Sequence, residues 1–156
     1  MILKNTILKY KNALEEKLEN VLFGKINEGN SLINEKGVYY DFLKIADGLR
    51  AGTIDLWRYK DIDKNQYMIT NSANWMCIGQ IDYIPLMLKK DSNEVYIYNE
   101  NLEKDKQWLM ISKFNESIID YIFGEKYCMI VPNGNEDQWY QFIKDLKSRS
   151  ENCGDK

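Results

Sequence analysis

The chain has 156 residues, of which 44% are hydrophobic and 29% are charged, and its formal net charge is −3. This composition excludes an intrinsically disordered chain and predicts a single packed domain. Its 21 basic and 24 acidic residues leave no strong positive field, so we expect no direct binding to nucleic acid.

The sequence also bears on the compartment. No stretch approaches the roughly 20 apolar residues that span a bilayer, so we expect no membrane association. The first residues lack the basic segment and apolar run of a secretory signal. The cysteines, Cys77, Cys128 and Cys153, are odd in number and widely spaced, which favours free thiols and a reducing compartment. We therefore expect a cytoplasmic protein.

The first third of the chain shows helical periodicity. An apolar stripe predicts one helix over residues 2–23, closed by Gly24 in a left-handed conformation. A polar loop follows over residues 25–36. A second stripe predicts a helix that ends at Gly48, where only glycine takes the left-handed conformation cheaply. The stripe residues of the two helices are Leu3, Ile7, Leu14, Leu18 and Val21, then Tyr39, Phe42, Leu43 and Ala46.

The middle of the chain alternates apolar and polar residues with a period of two, which predicts strands. Pro85 cannot donate to a neighbouring strand, so we expect it at a strand start or a sheet edge. Residues 89–94 are polar and rich in turn formers, which indicates a hairpin. We expect four to six largely antiparallel strands, among them residues 53–57, 75–79, 86–88 and 95–98.

Two further helices are predicted near the end of the chain. Ser112 is the expected N-cap of one that ends at Gly124, and Asn135 is the expected N-cap of the last. Residues 148–156 are predicted to form a flexible polar tail, which leaves a single domain over residues 1–147. The fold class is therefore α+β, with a twisted sheet packed against N- and C-terminal helices. The apolar residues of these two helices are Phe114, Ile118, Tyr121 and Ile122, then Trp139, Phe142, Ile143 and Leu146.

The sequence contains no recognisable set of catalytic residues. The chain has no histidine, which excludes histidine-based catalysis and histidine-ligated metals. No phosphate-binding or dinucleotide-binding glycine motif occurs, and we expect no catalytic residue, metal or cofactor. Residues 61–65 match the start of a calcium loop, but Gln66 and Ser72 stand where glycine and glutamate belong. A carboxylate pair such as Asp55 and Asp82 leaves open a glycosidase-like enzyme as one alternative.

Aromatic residues suggest a binding surface instead. In the predicted strands, one set of side chains lies opposite the aliphatic residues: Asp55, Trp57, Tyr59, Tyr96 and Tyr98. Tyrosine and tryptophan are enriched in protein-binding hot spots. Residues 51–105 hold six basic and nine acidic side chains, which suits a basic protein partner. The alternative is that the aromatic residues only stabilise the sheet as cross-strand pairs.

Residues 40–48, 54–57, 75–79 and 111–118 together resemble the SUKH superfamily, which includes fungal cell-wall assembly regulators and bacterial immunity proteins. Residues 40–48 are similar to the family's helix ending in a polar residue and glycine, and residues 111–118 to its late serine-capped helix. The resemblance spans roughly residues 36–123. It implies an α+β fold and a cytosolic role in neutralising a cognate bacterial toxin without catalysis.

Besides the glycosidase-like enzyme, a second alternative to immunity stays open. A regulatory or scaffolding interaction module would use the same features without a toxin partner. If the aromatic strand face is not the interface, the segments at residues 60–74 and 99–107 are the next candidates.

Overall fold

A computed structural model describes residues 2–68 and 73–154 of the chain. These residues form one antiparallel sheet and five α-helices, together with short 3-10 helices. The α-helices are α1 (Ile2–Glu15), α2 (Val38–Ile45), α3 (Ile119–Phe123), α4 (Tyr127–Ile130) and α5 (Gln138–Gly154). The strands are β1 (Gly24–Ile26), β2 (Leu49–Ala51), β3 (Ile54–Leu56), β4 (Trp75–Ile81), β5 (Ile84–Lys89), β6 (Glu94–Tyr98) and β7 (Trp108–Lys113).

The seven strands follow chain order from β1 to β7, and each neighbouring pair is antiparallel. The predicted α+β class is confirmed, although the sheet has more than the four to six strands expected. One extra strand, β1, lies between the first two helices, and another, β7, ends the sheet. Pro85 is the second residue of β5, before the segment that pairs with β6, as its missing N–H requires.

One face of the sheet carries the core. Leu56, Gly79, Leu86 and Ile97 lie opposite one another across β3 to β6 and therefore point to the same side. The aliphatic side chains of this face meet the helices that follow β7. A small internal space is bounded from both sides by Ile54, Leu56, Leu86, Val95, Phe114, Ile118 and Ile122.

The N- and C-terminal helices pack on each other beside the sheet. The ring of Tyr10 in α1 stacks on Phe123 of α3, with 4.6 Å between centroids. Trp139 in α5 is fully buried, and its indole N–H donates to the carbonyl oxygen of Ile122 at 2.7 Å. Because this donor is satisfied inside the core, the largest fully buried side chain carries no polar penalty.

The first helix is shorter than predicted. It ends at Glu15 because the side-chain amide of Asn20 donates to the carbonyl oxygens of Ala13 and Leu14, at 3.4 and 3.2 Å. In a longer helix, these two carbonyl oxygens would accept hydrogen bonds from backbone N–H groups of the next turn. The chain then forms a 3-10 helix over Leu18–Leu22, and the predicted stripe residues Leu18 and Val21 are exposed.

Gly24 does not close a helix as predicted; it begins β1. Its left-handed freedom is not used, but its small size is. A Cβ atom at this position would lie 2.8 Å from the ring of Trp139 and 3.1 Å from Leu14. The glycine therefore allows α1, β1 and α5 to pack closely. Gly48, by contrast, has φ +78°, which confirms its predicted positive φ. It does not end the helix as predicted, because α2 stops at Ile45 and Ala46 is already extended.

Both predicted N-caps are wrong by two or three residues. Ser112 lies inside β7, and the side chain of Asn115 accepts from the backbone N–H of Ser117 at 2.8 Å. At the last helix the cap is Asp137, whose carboxylate accepts from the backbone N–H of Trp139 at 2.9 Å. Each error has the same origin, because several Asn, Asp and Ser residues near a helix start satisfy the same sequence rule. Helix α5 also continues to Gly154, past the predicted boundary at residue 147.

Candidate protein-binding surface

The sheet face opposite the core, here called the second face, differs in burial between its two halves. Cys77 and Met87 pair across β4 and β5 on this face, and both are fully buried. Met87 in turn pairs with Tyr96 of β6, which pairs with Met110 of β7. Tyr96 is half-buried and Met110 is exposed. The second face therefore opens to solvent toward β6 and β7.

Four aromatic side chains make contact on the open half of this face. Trp75 and Trp108 stack with their centroids 4.4 Å apart. Tyr96 packs edge-on against Trp75 at 5.1 Å, and Tyr98 contacts Trp108 at 4.5 Å. We call these four residues the aromatic cluster. Because each ring is held by at least one other, the cluster is ordered before any partner binds, which lowers the entropy lost on binding.

Strand β7 borders the aromatic cluster and ends the sheet. Its first three residues, Trp108, Leu109 and Met110, are 39%, 56% and 41% exposed. Trp108 and Met110 share the second face with Tyr98 and Tyr96, whereas Leu109 lies opposite Ile97 on the core face. The exposed apolar surface therefore wraps around this edge of the sheet.

The two edges of the sheet differ in protection. Strand β1 at the other edge has only three residues, and its central residue is the exposed Lys25. Short, charged edge strands are a usual means of preventing unwanted pairing. Strand β7 has six residues, and no charge or proline occurs before its terminal Lys113. An exposed apolar edge of this kind lacks that protection and is therefore a candidate site of protein contact.

Two of the five predicted site residues, Tyr96 and Tyr98, lie in the aromatic cluster. Asp55 lies on the same face but nearer the other edge, where it is occupied by neighbours. Its carboxylate accepts from the guanidinium Nε of Arg50 at 3.2 Å and from the side-chain amide of Gln80 at 3.2 Å. Asp55 thus stabilises the cross-strand packing of β2, β3 and β4 rather than extending the cluster.

The remaining two predicted residues, Trp57 and Tyr59, are placed elsewhere because β3 ends at Leu56. Trp57 packs against the core, and its indole nitrogen is buried next to the Cys77 thiol. Tyr59 begins a 3-10 helix, and its hydroxyl donates to the carboxylate of Glu35 at 2.5 Å. That hydrogen bond raises the pKa of Tyr59 and lowers the pKa of Glu35. No ring contact in the described part of the chain joins either residue to the aromatic cluster.

Trp75 and Trp108 are the cluster members that the sequence did not identify. Trp75 was predicted to lie in a strand, but its contact with a residue three strands away depends on tertiary structure. Trp108 starts a continuous apolar run, Trp108-Leu109-Met110-Ile111, that does not alternate. Apolar runs without alternation fit a strand as well as a helix, so periodicity gives no assignment here.

The structure places the polar candidates for chemistry in a 3-10 helical segment and in an exposed turn. Asp61 pairs with Lys64 at 2.9 Å, and its backbone carbonyl accepts from the side chain of Asn65, so these residues form a helical turn. Asp82 lies in the exposed turn between β4 and β5. Among the described residues, no group of three or more His, Cys, Asp or Glu side chains could hold a metal ion.

Comparison with protein-family models, with curated proteins and with solved structures found no match to this chain. Over residues 2–68 and 73–154, no helix is both long and apolar enough to cross a membrane.

Proposed function

We propose that the protein is a non-catalytic binding protein that neutralises a cognate bacterial toxin in the cytoplasm. The observation that carries the binding function is the exposed apolar surface formed by the aromatic cluster and the edge strand β7. The choice of a toxin as partner rests on the resemblance to the SUKH superfamily over residues 36–123.

The chemistry of this surface suits protein recognition. Tryptophan and tyrosine supply large contact areas with few rotatable bonds, and they dominate binding hot spots. Strand β7 also offers a row of backbone groups to which a partner can add an extended segment. Its flanking apolar side chains would then cover both sides of the added strand. A partner bound in this way would be occluded without any covalent step.

The thiol at the base of the second face is consistent with a passive role. Cys77 is fully buried, and burial raises the pKa of its thiol. A protonated, buried thiol is a poor nucleophile and a poor target for oxidation. Cys77 therefore serves as a small core residue in this proposal.

Co-expression tests the proposal directly. The product of the adjacent gene, if it arrests growth when expressed alone, should lose this effect when the protein is co-expressed and should co-purify with it. Trp108→Ala should weaken protection, whereas Leu32→Ala, at an exposed loop position before α2, should not. If a toxic neighbour is neither bound nor neutralised, the immunity function is refuted. Binding to a non-toxic neighbour would instead support a regulatory or scaffolding module.

A further inference from the structure

A cleft lies between the β4–β5 turn and the segment that follows β6. Its volume is about 300 Å³. Three tyrosines, Tyr67, Tyr83 and Tyr98, contribute to its lining, and two of them, Tyr67 and Tyr83, are 77% and 81% exposed. The rest of the lining is Ile84, Pro85, Asn99, Glu100 and Asn101. The cleft adjoins the aromatic cluster only through Tyr98.

One wall of the cleft holds a tyrosine in a strained conformation. Ile81 pairs with Ile84, so Asp82 and Tyr83 are the two central residues of a tight hairpin. Both have positive φ, +49° and +71°. Hairpin turns with two positive φ values favour Asn-Gly or Asp-Gly, and a bulky residue at the second position is unusual. The exposed ring of Tyr83 therefore lies at the rim of the cleft on a backbone whose positive φ is energetically unfavourable.

The opposite wall is fixed by hydrogen bonds. The backbone N–H of Asn99 donates to the carbonyl oxygen of Gln107 at 2.9 Å. The side-chain amide of Gln107 donates to the carbonyl oxygens of Glu100 and Leu102, at 3.3 and 3.2 Å. The side chain of Asn99 accepts from the backbone N–H of Asn101 at 3.1 Å. This segment is therefore ordered without a ligand, as a preformed site requires.

The charge of the lining restricts the ligand. Among the described residues, Glu100 is the charged residue of the lining, and no lysine or arginine contributes to it. Asp82 adds a second carboxylate in the turn that carries Tyr83. A phosphate or another anion would find no cation here and would be repelled. A ligand with an apolar body and a positive charge would match the apolar and acidic lining of the cleft.

The tyrosines of the lining restrict the class of ligand further. Proline-rich chains in the polyproline II conformation dock in aromatic-lined grooves, because proline rings pack on aromatic faces. Such a chain has no internal hydrogen bonds, so its carbonyl oxygens remain free to accept from tyrosine hydroxyls. Its conformation is also fixed before binding, which lowers the entropy cost.

We propose that this cleft binds a proline-rich segment in the polyproline II conformation, with a basic side chain of that segment next to Glu100. The inference goes beyond toxin neutralisation, because it concerns a second surface and does not depend on the identity of the toxin. The tyrosine rings would contact the prolines. The Glu100 carboxylate would pair with the basic side chain and thereby fix the direction in which the peptide lies in the cleft.

Fluorescence polarisation with a labelled peptide pool tests the proposal. The pool consists of ten-residue peptides with Pro-x-x-Pro spacing and one arginine at either end. A matched pool has every proline replaced by alanine. The proline pool should bind at micromolar concentrations, at least tenfold more tightly than the alanine pool. Glu100→Gln should remove the preference for arginine-containing peptides over the same peptides with glutamine in that position.

Tyr83→Gly separates binding from folding. Glycine relieves the strain at φ +71°, so the variant should melt at the same temperature as wild type or higher. It should nevertheless bind the proline pool at least tenfold more weakly. Leu109→Ala on β7 is the control and should leave peptide binding unchanged. Equal binding of both pools, no binding at millimolar peptide, or unchanged binding by Tyr83→Gly would each overturn the proposal. Saturable binding of a neutral oligosaccharide with no peptide binding would show a carbohydrate site instead.

Discussion

The substitution Gly48→Ala tests how the chain turns from α2 into the sheet. Gly48 has φ +78°, and its backbone carbonyl accepts from the backbone N–H of Asn27 at 3.2 Å. A Cβ atom added here would lie 2.8 Å from the carbonyl oxygen of Leu56 and 2.9 Å from the backbone nitrogen of Arg58. These are backbone atoms of a neighbouring segment, so they cannot move aside as a flexible side chain could.

Two costs add at this position. An alanine in the left-handed region costs roughly 1–2 kcal/mol, and forcing extra atoms into a packed site costs typically about 1–3 kcal/mol. We therefore expect Gly48→Ala to lower the free energy of unfolding by about 2–5 kcal/mol. That is a large share of the roughly 5–15 kcal/mol that stabilises a typical domain.

Gly48→Asn is the matched control, because asparagine tolerates the left-handed region but carries the same Cβ atom as alanine. Urea unfolding followed by tryptophan fluorescence measures both variants. Gly48→Asn should still lower the free energy of unfolding by the packing cost of about 1–3 kcal/mol. If Gly48→Asn unfolds at the wild-type urea concentration, the close approach of Leu56 and Arg58 carries no energy and the reasoning is refuted.

Asp137→Ala should destabilise the protein by about 1–3 kcal/mol in the same urea assay, because one carboxylate caps α5 and also accepts from the Tyr127 hydroxyl at 2.6 Å. Asn135→Ala, at the N-cap that the sequence suggested, should cost less than half as much, and the reverse order would contradict the observed cap. Burial and the hydrogen bond to Asp137 also raise the pKa of Tyr127, so the folded state holds this proton more tightly than the unfolded chain. Stability should therefore fall as the pH rises above the unfolded tyrosine pKa of about 10, by up to about 1.4 kcal/mol per pH unit for each such tyrosine. Tyr127→Phe should reduce that slope without abolishing it, since burial also raises the pKa of Tyr39; an unchanged slope would exclude Tyr127 as a source.

Elements with strong local signals were predictable from the sequence. The stripe of α2 and the positive φ of Gly48 required only local periodicity and the conformational freedom of glycine. Strands β3, β5 and β6 followed from alternation. Strands β1 and β2 have three residues each and begin at or directly after the glycines predicted to end the first two helices, so neither was assigned as a strand. Strand β7 was not predicted, because an edge strand with apolar residues on both faces shows no alternation of apolar and polar residues.

The candidate surface was only partly predictable, for a related reason. Strand parity placed Tyr96 and Tyr98 correctly on one face, because β6 extends to Tyr98. The same parity failed for Tyr59, because β3 stops at Leu56 and the chain turns into a 3-10 helix. The contact of Trp75 with Trp108 joins β4 to β7 across two intervening strands. Such a contact is set by the curvature and register of the whole sheet, which no local pattern encodes.

The central claim is that the aromatic cluster and β7 form the surface that binds the partner. Isothermal titration of the purified partner against wild type, Trp108→Ala and Leu109→Ala tests this most directly, with Leu32→Ala as the control for loss of an exposed leucine. Circular dichroism first establishes that each variant is folded. Trp108→Ala should weaken binding by about 2 kcal/mol or more, roughly thirtyfold, and Leu109→Ala should also weaken it, while Leu32→Ala matches wild type. If the β7 variants bind as tightly as Leu32→Ala, the interface lies elsewhere and the account is contradicted.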